Sequence, residues 1–352
     1  MSNNGKNNGA PRMIVPGASP EDIKNFAAAF NKSHIPADIN EQDSMEPARN
    51  SANKSSYEQN VSKQSVSVDT GQNYRLRWNS CQPGHLVFLI DLSRSMIREM
   101  NNKRLVDVMM DVLNSLFDSL NGEICQGEDV EDRFSVTVLG YNSDVKVLLK
   151  ANNGEEFNTF FQNVSKNKRL FDTGKGGIAE PNWQTFMADA FDEAKKDIEE
   201  WIARQSKGGK KMPAPVVINI TDGEPNEGGN VDAIGKALRA AENLKNISTE
   251  DGNVLLFNIH FTPNGGEKKI VFPVVKPVDK KASFLYTASS IIPNTLIGAA
   301  KETWPDYEIS EASRAMISNE NNVDSLLKFI SWGSSSSGIN ARNVRYVELP
   351  KL

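Results

Sequence analysis

Two rhythms of apolar residues run along this chain from about residue 85 onward. Short continuous runs, HLVFLI, RFSVTVLGYN, APVVINITDG and NVLLFNIHF, alternate with longer stretches whose apolar positions recur every three or four residues. A continuous run reads as a strand covered on both faces, and the second spacing reads as a helix with one buried stripe. Leu105, Val108, Met109, Val112, Leu116 and Leu120 predict a helix over about 95–121, and Met187, Phe191, Ala194, Ile198 and Trp201 predict one over about 184–205. Further helices are expected near 154–165, 230–246, 282–301 and 321–332. RFSVTVLGYN and VKVLLK, joined by NSD, read as a hairpin and so as a sheet edge, and GGEKKIVFPVVK offers an extra edge strand. The alternation predicts an α/β fold: a mostly parallel sheet with helices on both faces and one antiparallel edge strand.

Before residue 80 that rhythm is missing. The segment is rich in Asn, Ser, Gln and Lys and poor in large aliphatics, so it cannot bury enough apolar surface to offset the entropy of ordering. Residues 1–80 are expected to be a largely disordered leader. Within it, SPEDIKNFAAAFNK predicts a short amphipathic helix near 20–31, with Ser19 as cap, Pro20 at the first position and Ile23, Phe26, Ala27 and Phe30 on one face. One domain is expected over 81–335, followed by a Ser-rich linker and extended tail over 336–352.

The chain has 352 residues, a formal net charge of -5 and two cysteines. That charge, spread without a basic face, excludes nucleic acid as a first expectation. Cys81 and Cys125 are too few for a disulfide framework and point to a reducing compartment. MSNNGKNNGAPR lacks the apolar core of an export signal, and no stretch approaches the ~20 apolar residues of a membrane span. The expectation is a soluble, cytoplasmic protein that binds neither membrane nor nucleic acid.

The candidate chemistry lies where two strands end. LVFLIDLSRSM hands its last strand position to Asp91 and places Ser93 and Ser95 just beyond; VVINI runs out into Thr221 and Asp222 in the same way. Ligands of open parallel sheets bind outside the carboxyl ends of the strands, so both acids face one crevice if these strands are neighbours. A strand-end acid followed by small hydroxyls supplies oxygen ligands without bulk, which suits a hard cation such as Mg²⁺ or Mn²⁺. Ser93 and Ser95 would bind directly, with Asp91 and Asp222 holding bound waters and orienting the hydroxyls. Thr185, in the loop entering the long helix, offers a further hydroxyl. Leu92, Arg94, Met96, Trp183 and Pro225 are expected to ring the crevice.

Other motifs carry less. TGKGG at 173–177 lacks phosphate-loop spacing and does not directly follow a strand. His34, His85 and His260 fall in unrelated contexts, which argues against a histidine-ligated zinc.

DLSRS, Thr185 of NWQTFMADA, and ITDGEPN resemble the DxSxS, Thr and Asp parts of the metal-ion-dependent adhesion site of von Willebrand factor type A domains. The likeness runs from about residue 85 to 333, and SLLKFISWGS is similar to the last helix of bacterial intracellular, TerY-like members. The resemblance implies a Rossmann-like, doubly wound sheet with Asp91, Ser93, Ser95, Thr185 and Asp222 around Mg²⁺ or Mn²⁺. It also implies a non-enzymatic module whose metal takes an Asp or Glu from a protein partner, such as a MoxR-type ATPase, a kinase or a phosphatase, in a stress-response or signalling complex. The leader, the insert at 264–277 and the long Gly-rich loop before Thr185 depart from the family pattern. The alternative is a metal-assisted phosphohydrolase with Asp91 as nucleophile. Such sites want a second acid two residues on, where this chain has Ser93.

Overall fold

The computed structural model describes residues 74–126, 129–165, 170–263 and 268–335, all within a compact unit spanning Ser67–Leu352. The expected helix near 20–31, most of the leader, His34 and the 336–352 tail lie outside the described residues.

Seven strands form the central sheet. They are β1 (Gly84–Asp91), β2 (Phe134–Tyr141), β3 (Val145–Ala151), β4 (Val216–Thr221), β5 (Leu255–Phe261), β6 (Ile270–Val271) and β7 (Met316–Glu320). Their spatial order is β6-β7-β5-β4-β1-β2-β3. β1, β2, β4, β5 and β7 pair in parallel, whereas β3 and β6 run antiparallel to their neighbours at the two edges. The hairpin edge is the expected one. The opposite edge carries a second antiparallel strand, of two residues, drawn from the insert.

Successive side chains of a strand point to opposite faces, and β1 shows what that does for packing. Leu86, Phe88 and Ile90 join one buried cluster with α1 (Leu105–Ile124), α2 (Gly154–Ser165), α6 (Asn294–Thr303) and α7 (Val323–Ser335). Val87 and Leu89 join the other, with α3 (Met187–Lys207), α4 (Ala233–Lys245) and α5 (Lys280–Ala288). The inward residues expected of α1 and α3 are all buried. The sheet is thus covered on both faces, which is why its central strands read as continuous apolar runs.

Four expectations are corrected. The helix expected from residue 95 begins at Leu105. Before it come a 3₁₀ turn, Arg94–Ile97, and a small hairpin pairing Glu99–Met100 with Lys103–Arg104. Asn101 and Asn102 turn that hairpin with φ of 52° and 63°, a left-handed conformation that Asn tolerates better than most residues. The helix expected over 282–301 is two, α5 and α6, because Pro293 holds the residue before it extended and cannot itself continue a helix. β7 departs from the sequence expectation: three of the five residues of MISNE are polar and they show no clear alternation, although all five are buried. Finally, packing begins before residue 81. The Asp251 carboxylate accepts from the backbone N–H groups of Arg75 (2.7 Å) and Leu76 (3.0 Å), and Trp78 is buried against Phe134.

Candidate metal centre

β1 and β4 are direct neighbours, and the chain leaves their carboxyl ends toward opposite sides of the sheet, β1 toward β2 and β4 toward β5. That divergence opens a crevice at the point where ligands of such sheets bind. Asp91 is the last residue of β1 and Asp222 follows the last residue of β4, so both acids stand at its floor, 0% and 1% exposed.

Asp91 is locked in place. Its Oδ1 accepts from the Ser93 backbone N–H at 2.8 Å and its Oδ2 from the Thr221 hydroxyl at 2.6 Å. The first bond bends the chain sharply after the strand and turns Ser93 and Ser95 toward Asp222. The Ser93 and Ser95 hydroxyls lie 2.9 Å apart, and the Ser95 hydroxyl donates to Asp222 Oδ1 at 2.6 Å. Arg98, at the base of the small hairpin, donates from Nη2 to Asp222 Oδ2 at 2.6 Å and from Nε to the Ser95 carbonyl at 3.2 Å.

Thr185 arrives from the other wall. The Asn182 N–H bonds the Leu92 carbonyl at 2.7 Å, and Thr185 exchanges backbone bonds with Asn226, from the loop after β4, at 2.8 and 3.1 Å. The loop before α3 is therefore stitched both to the DLSRS segment and to the Asp222 loop. Thr185 is buried, and its hydroxyl has no hydrogen-bond partner among the described residues.

Burial is the largest influence on Asp91 and the neighbouring Asp222 charge the next; together they hold its carboxyl well above the usual carboxylate range, despite the hydrogen bonds that oppose them. The same burial and the same charges push the Tyr141 hydroxyl upward, where it donates to Asn219 at 2.9 Å. The two adjacent buried acids share one cation, Arg98 on Asp222, which leaves Asp91 without one among the described residues; the neutral hydroxyl oxygens between them are small donors that fit a hard divalent cation. Among the described residues no group of three or more His, Cys, Asp or Glu is placed to hold a metal ion, so a cation here depends on the hydroxyls.

Of the expected site residues, the fold gathers Asp91, Ser93, Ser95 and Asp222 in one hydrogen-bonded chain and ties Thr185 by its backbone to Asn226 in the loop after Asp222. The expected rim is corrected in part. Arg94 and Trp183 are exposed, whereas Leu92 and Met96 are 1% and 0% exposed and Pro225 is also buried. Leu92 and Met96 belong to the core because the chain rises into a 3₁₀ turn here instead of a helix. The sequence places Thr221 at the end of its strand but assigns it no role, whereas the structure shows it fastening Asp91. Sequence reasoning missed Arg98, whose reach depends on the unexpected hairpin.

The sequence model of the von Willebrand factor type A domain family matches residues 85–270. Similar solved structures include manganese-loaded TRAP protein of Plasmodium vivax, at 22% identity over 52% of this chain and 58% of that one, with a TM-score of 0.33. BatB, a conserved hypothetical protein from Bacteroides thetaiotaomicron, is similar at 16% identity over 51% and 66%, TM-score 0.29. Proximal thread matrix protein 1 of the mussel byssus, with a zinc-occupied MIDAS motif, is similar at 15% identity over 61% and 43%, TM-score 0.35. The chain spans less than two thirds of each of these relatives. No curated protein gives a significant match.

Proposed function

The chain belongs to the von Willebrand factor type A domain family, and on that premise we propose that it is a metal-dependent protein-binding module and not an enzyme. Ser93, Ser95 and Thr185 hold a divalent cation, Mg²⁺ or Mn²⁺, and Asp91 and Asp222 order the site around it. When bound, the cation supplies a position that accepts a carboxylate oxygen from an Asp or Glu of the partner. Three neutral hydroxyls leave the ion under-neutralised, so the partner's acid is attracted strongly where water is excluded.

The observation that carries this reading is the run of oxygens across the crevice, from Ser93 Oγ to Ser95 Oγ at 2.9 Å and on to Asp222 Oδ1 at 2.6 Å, above a buried, doubly fastened Asp91. The same fastening disfavours the phosphohydrolase alternative. A nucleophilic carboxylate needs a free oxygen and an approach path, and Asp91 has both oxygens engaged and no exposure. The family likeness of DLSRS, ITDGEPN and SLLKFISWGS supports a TerY-like place in a bacterial cytoplasmic stress-response or signalling complex, with a MoxR-type ATPase, a kinase or a phosphatase as partner. The proposed organisation is a leader, one binding domain over 81–335 and a tail.

Calorimetry with MgCl₂ and MnCl₂ on the full chain, the Ser93→Ala variant and the Thr185→Ala variant tests the site. Each substitution is expected to weaken ion binding by tenfold or more; variants that bind both ions as tightly as the parent would overturn the assignment. Capture of partners from native lysate with and without EDTA then tests whether the metal is used in binding.

A further inference from the structure

Beside the proposed metal centre lies a cleft of about 340 Å³, bounded by Arg94, Ile97, Asn142, Lys146, Glu180 and Trp183. It adjoins the centre covalently: Arg94 sits between Ser93 and Ser95, and Trp183 lies two residues before Thr185. The walls are tied together by the Asn182 N–H to Leu92 carbonyl bond of 2.7 Å and the Phe186 N–H to Asn142 carbonyl bond of 2.9 Å.

The cleft's charges are unevenly matched. The Arg94 guanidinium lies over the Trp183 ring, 3.8 Å from its centroid, and makes no ion pair among the described residues. Lys146, exposed on the edge strand β3, makes none either. The one acid of the lining, Glu180, already accepts the Gly176 N–H at 2.6 Å. Some other surface cations, among them Lys103, Arg104 and Lys236, do meet a carboxylate; what sets Arg94 apart is that its unpaired guanidinium is held against an exposed ring. Trp183 is 70% exposed, while the other four tryptophans are 6% exposed or less. A large exposed ring that fixes an unpaired guanidinium is costly to leave in water and well suited to a contact, since stacking holds the guanidinium fork ready for a planar anion.

We infer that this cleft receives a second acidic side chain of the partner, so that the protein recognises a segment carrying two acids: one directed to the metal, the other held between Arg94 and Lys146 against Trp183. The inference rests on the metal-dependent reading above and adds to it the charge pattern of the ligand. A lone acid offered to the ion cannot tell one partner from another. A second acid at a fixed distance can.

The test uses the full chain in saturating MgCl₂ and capped synthetic peptides: GSGDGSG, and a series in which a second Asp follows the first at two, three or four positions. Trp183 is the one exposed tryptophan of the protein, so its fluorescence reports occupancy of the cleft, with calorimetry as a second readout. At least one two-acid peptide is expected to bind about fivefold more tightly than the one-acid peptide, the scale of one or two partly exposed ion pairs. In the Arg94→Gln, Lys146→Gln double variant that ratio is expected to fall to one. A ratio of one in the parent, a ratio unchanged in the double variant, or no binding of any peptide would overturn the inference. Because the ratio compares two peptides in the same buffer, EDTA-insensitive binding with the fivefold ratio intact would count against the metal reading alone and leave the cleft standing.

Discussion

β1 carries a buried polar side chain near each end, and the two ends treat charge in opposite ways. At its start His85 Nε2 meets Asp197 of α3 at 2.9 Å, Lys150 reaches the same carboxylate at 2.9 Å, and His85 Nδ1 meets the Ser135 hydroxyl at 2.8 Å, with the ring stacked on Trp201. At its end Asp91 has hydrogen bonds but no cation, and faces Asp222. Burial raises both acids. The His85 and Lys150 partners more than reverse this at Asp197, whose carboxyl lies well below the usual range, whereas at Asp91 the second acid adds to it. A finished ion pair is structural; an acid left without a cation among the described residues is what the proposed metal site calls for.

The sharpest way to break this comparison is to remove one acid from each end. Asp197→Ala should lower the free energy of unfolding by about 3–5 kcal/mol in urea titrations, because it strands a buried imidazole, yet leave ion affinity unchanged. Asp91→Asn should do the reverse: metal-free stability held or raised, with Mn²⁺ affinity in calorimetry falling about 10–100-fold. Equal losses of stability in the two variants would end the distinction.

Acid titration sharpens it. A folded-state value depressed below the unfolded one, about 4 for Asp, contributes stability that is present above that pH and is lost as pH falls toward the folded value. The parent should therefore lose stability below about pH 4, and Asp197→Asn should lose less over that window in thermal melts. A third acid gives the smallest effect. Glu123, near the end of α1, is pushed up to about 7 by burial, only partly countered by Arg133, and its Oε1 has no hydrogen-bond partner among the described residues. A raised folded value means stability that is full below the unfolded pKa and declines as pH rises through about 7. Glu123→Gln should then stabilise the protein at pH 8 by about 1 kcal/mol and do little at pH 4, as melts at the two pH values would show.

The legible parts of this molecule are those where one local rule decides. Continuous apolar runs announced β1, β2, β4 and β5 because strands covered on both faces need apolar residues at every position. Asp91 and Asp222 were legible because an acid that ends such a run has no core role. β7 was hidden: MISNE owes its burial to α5, α7 and the neighbouring strands, which no local spacing encodes. The pairing of Arg98 with Asp222 was hidden for a related reason, since it joins residues 124 apart in sequence through a turn set by Asn101 and Asn102. Thr185 stood between these cases. Its residue type was suggestive, but only its bonds to Asn226 place it beside the crevice.

The same small hairpin has a practical use. The Leu105 N–H bonds the Arg98 carbonyl at 2.9 Å, closing residues 99–104 at their base, so the helix that follows is positioned by that clasp and not by the length of the excursion. A longer peptide grafted between Asn101 and Asn102 would extend into solvent without pulling on α1, because exposed loop tips absorb insertions that elements do not. With Arg98 at the foot of the graft and Asp222 in its grip, such an insertion would carry a reporter sequence to the edge of the crevice, turning a local irregularity of the fold into a handle for sensing what binds there.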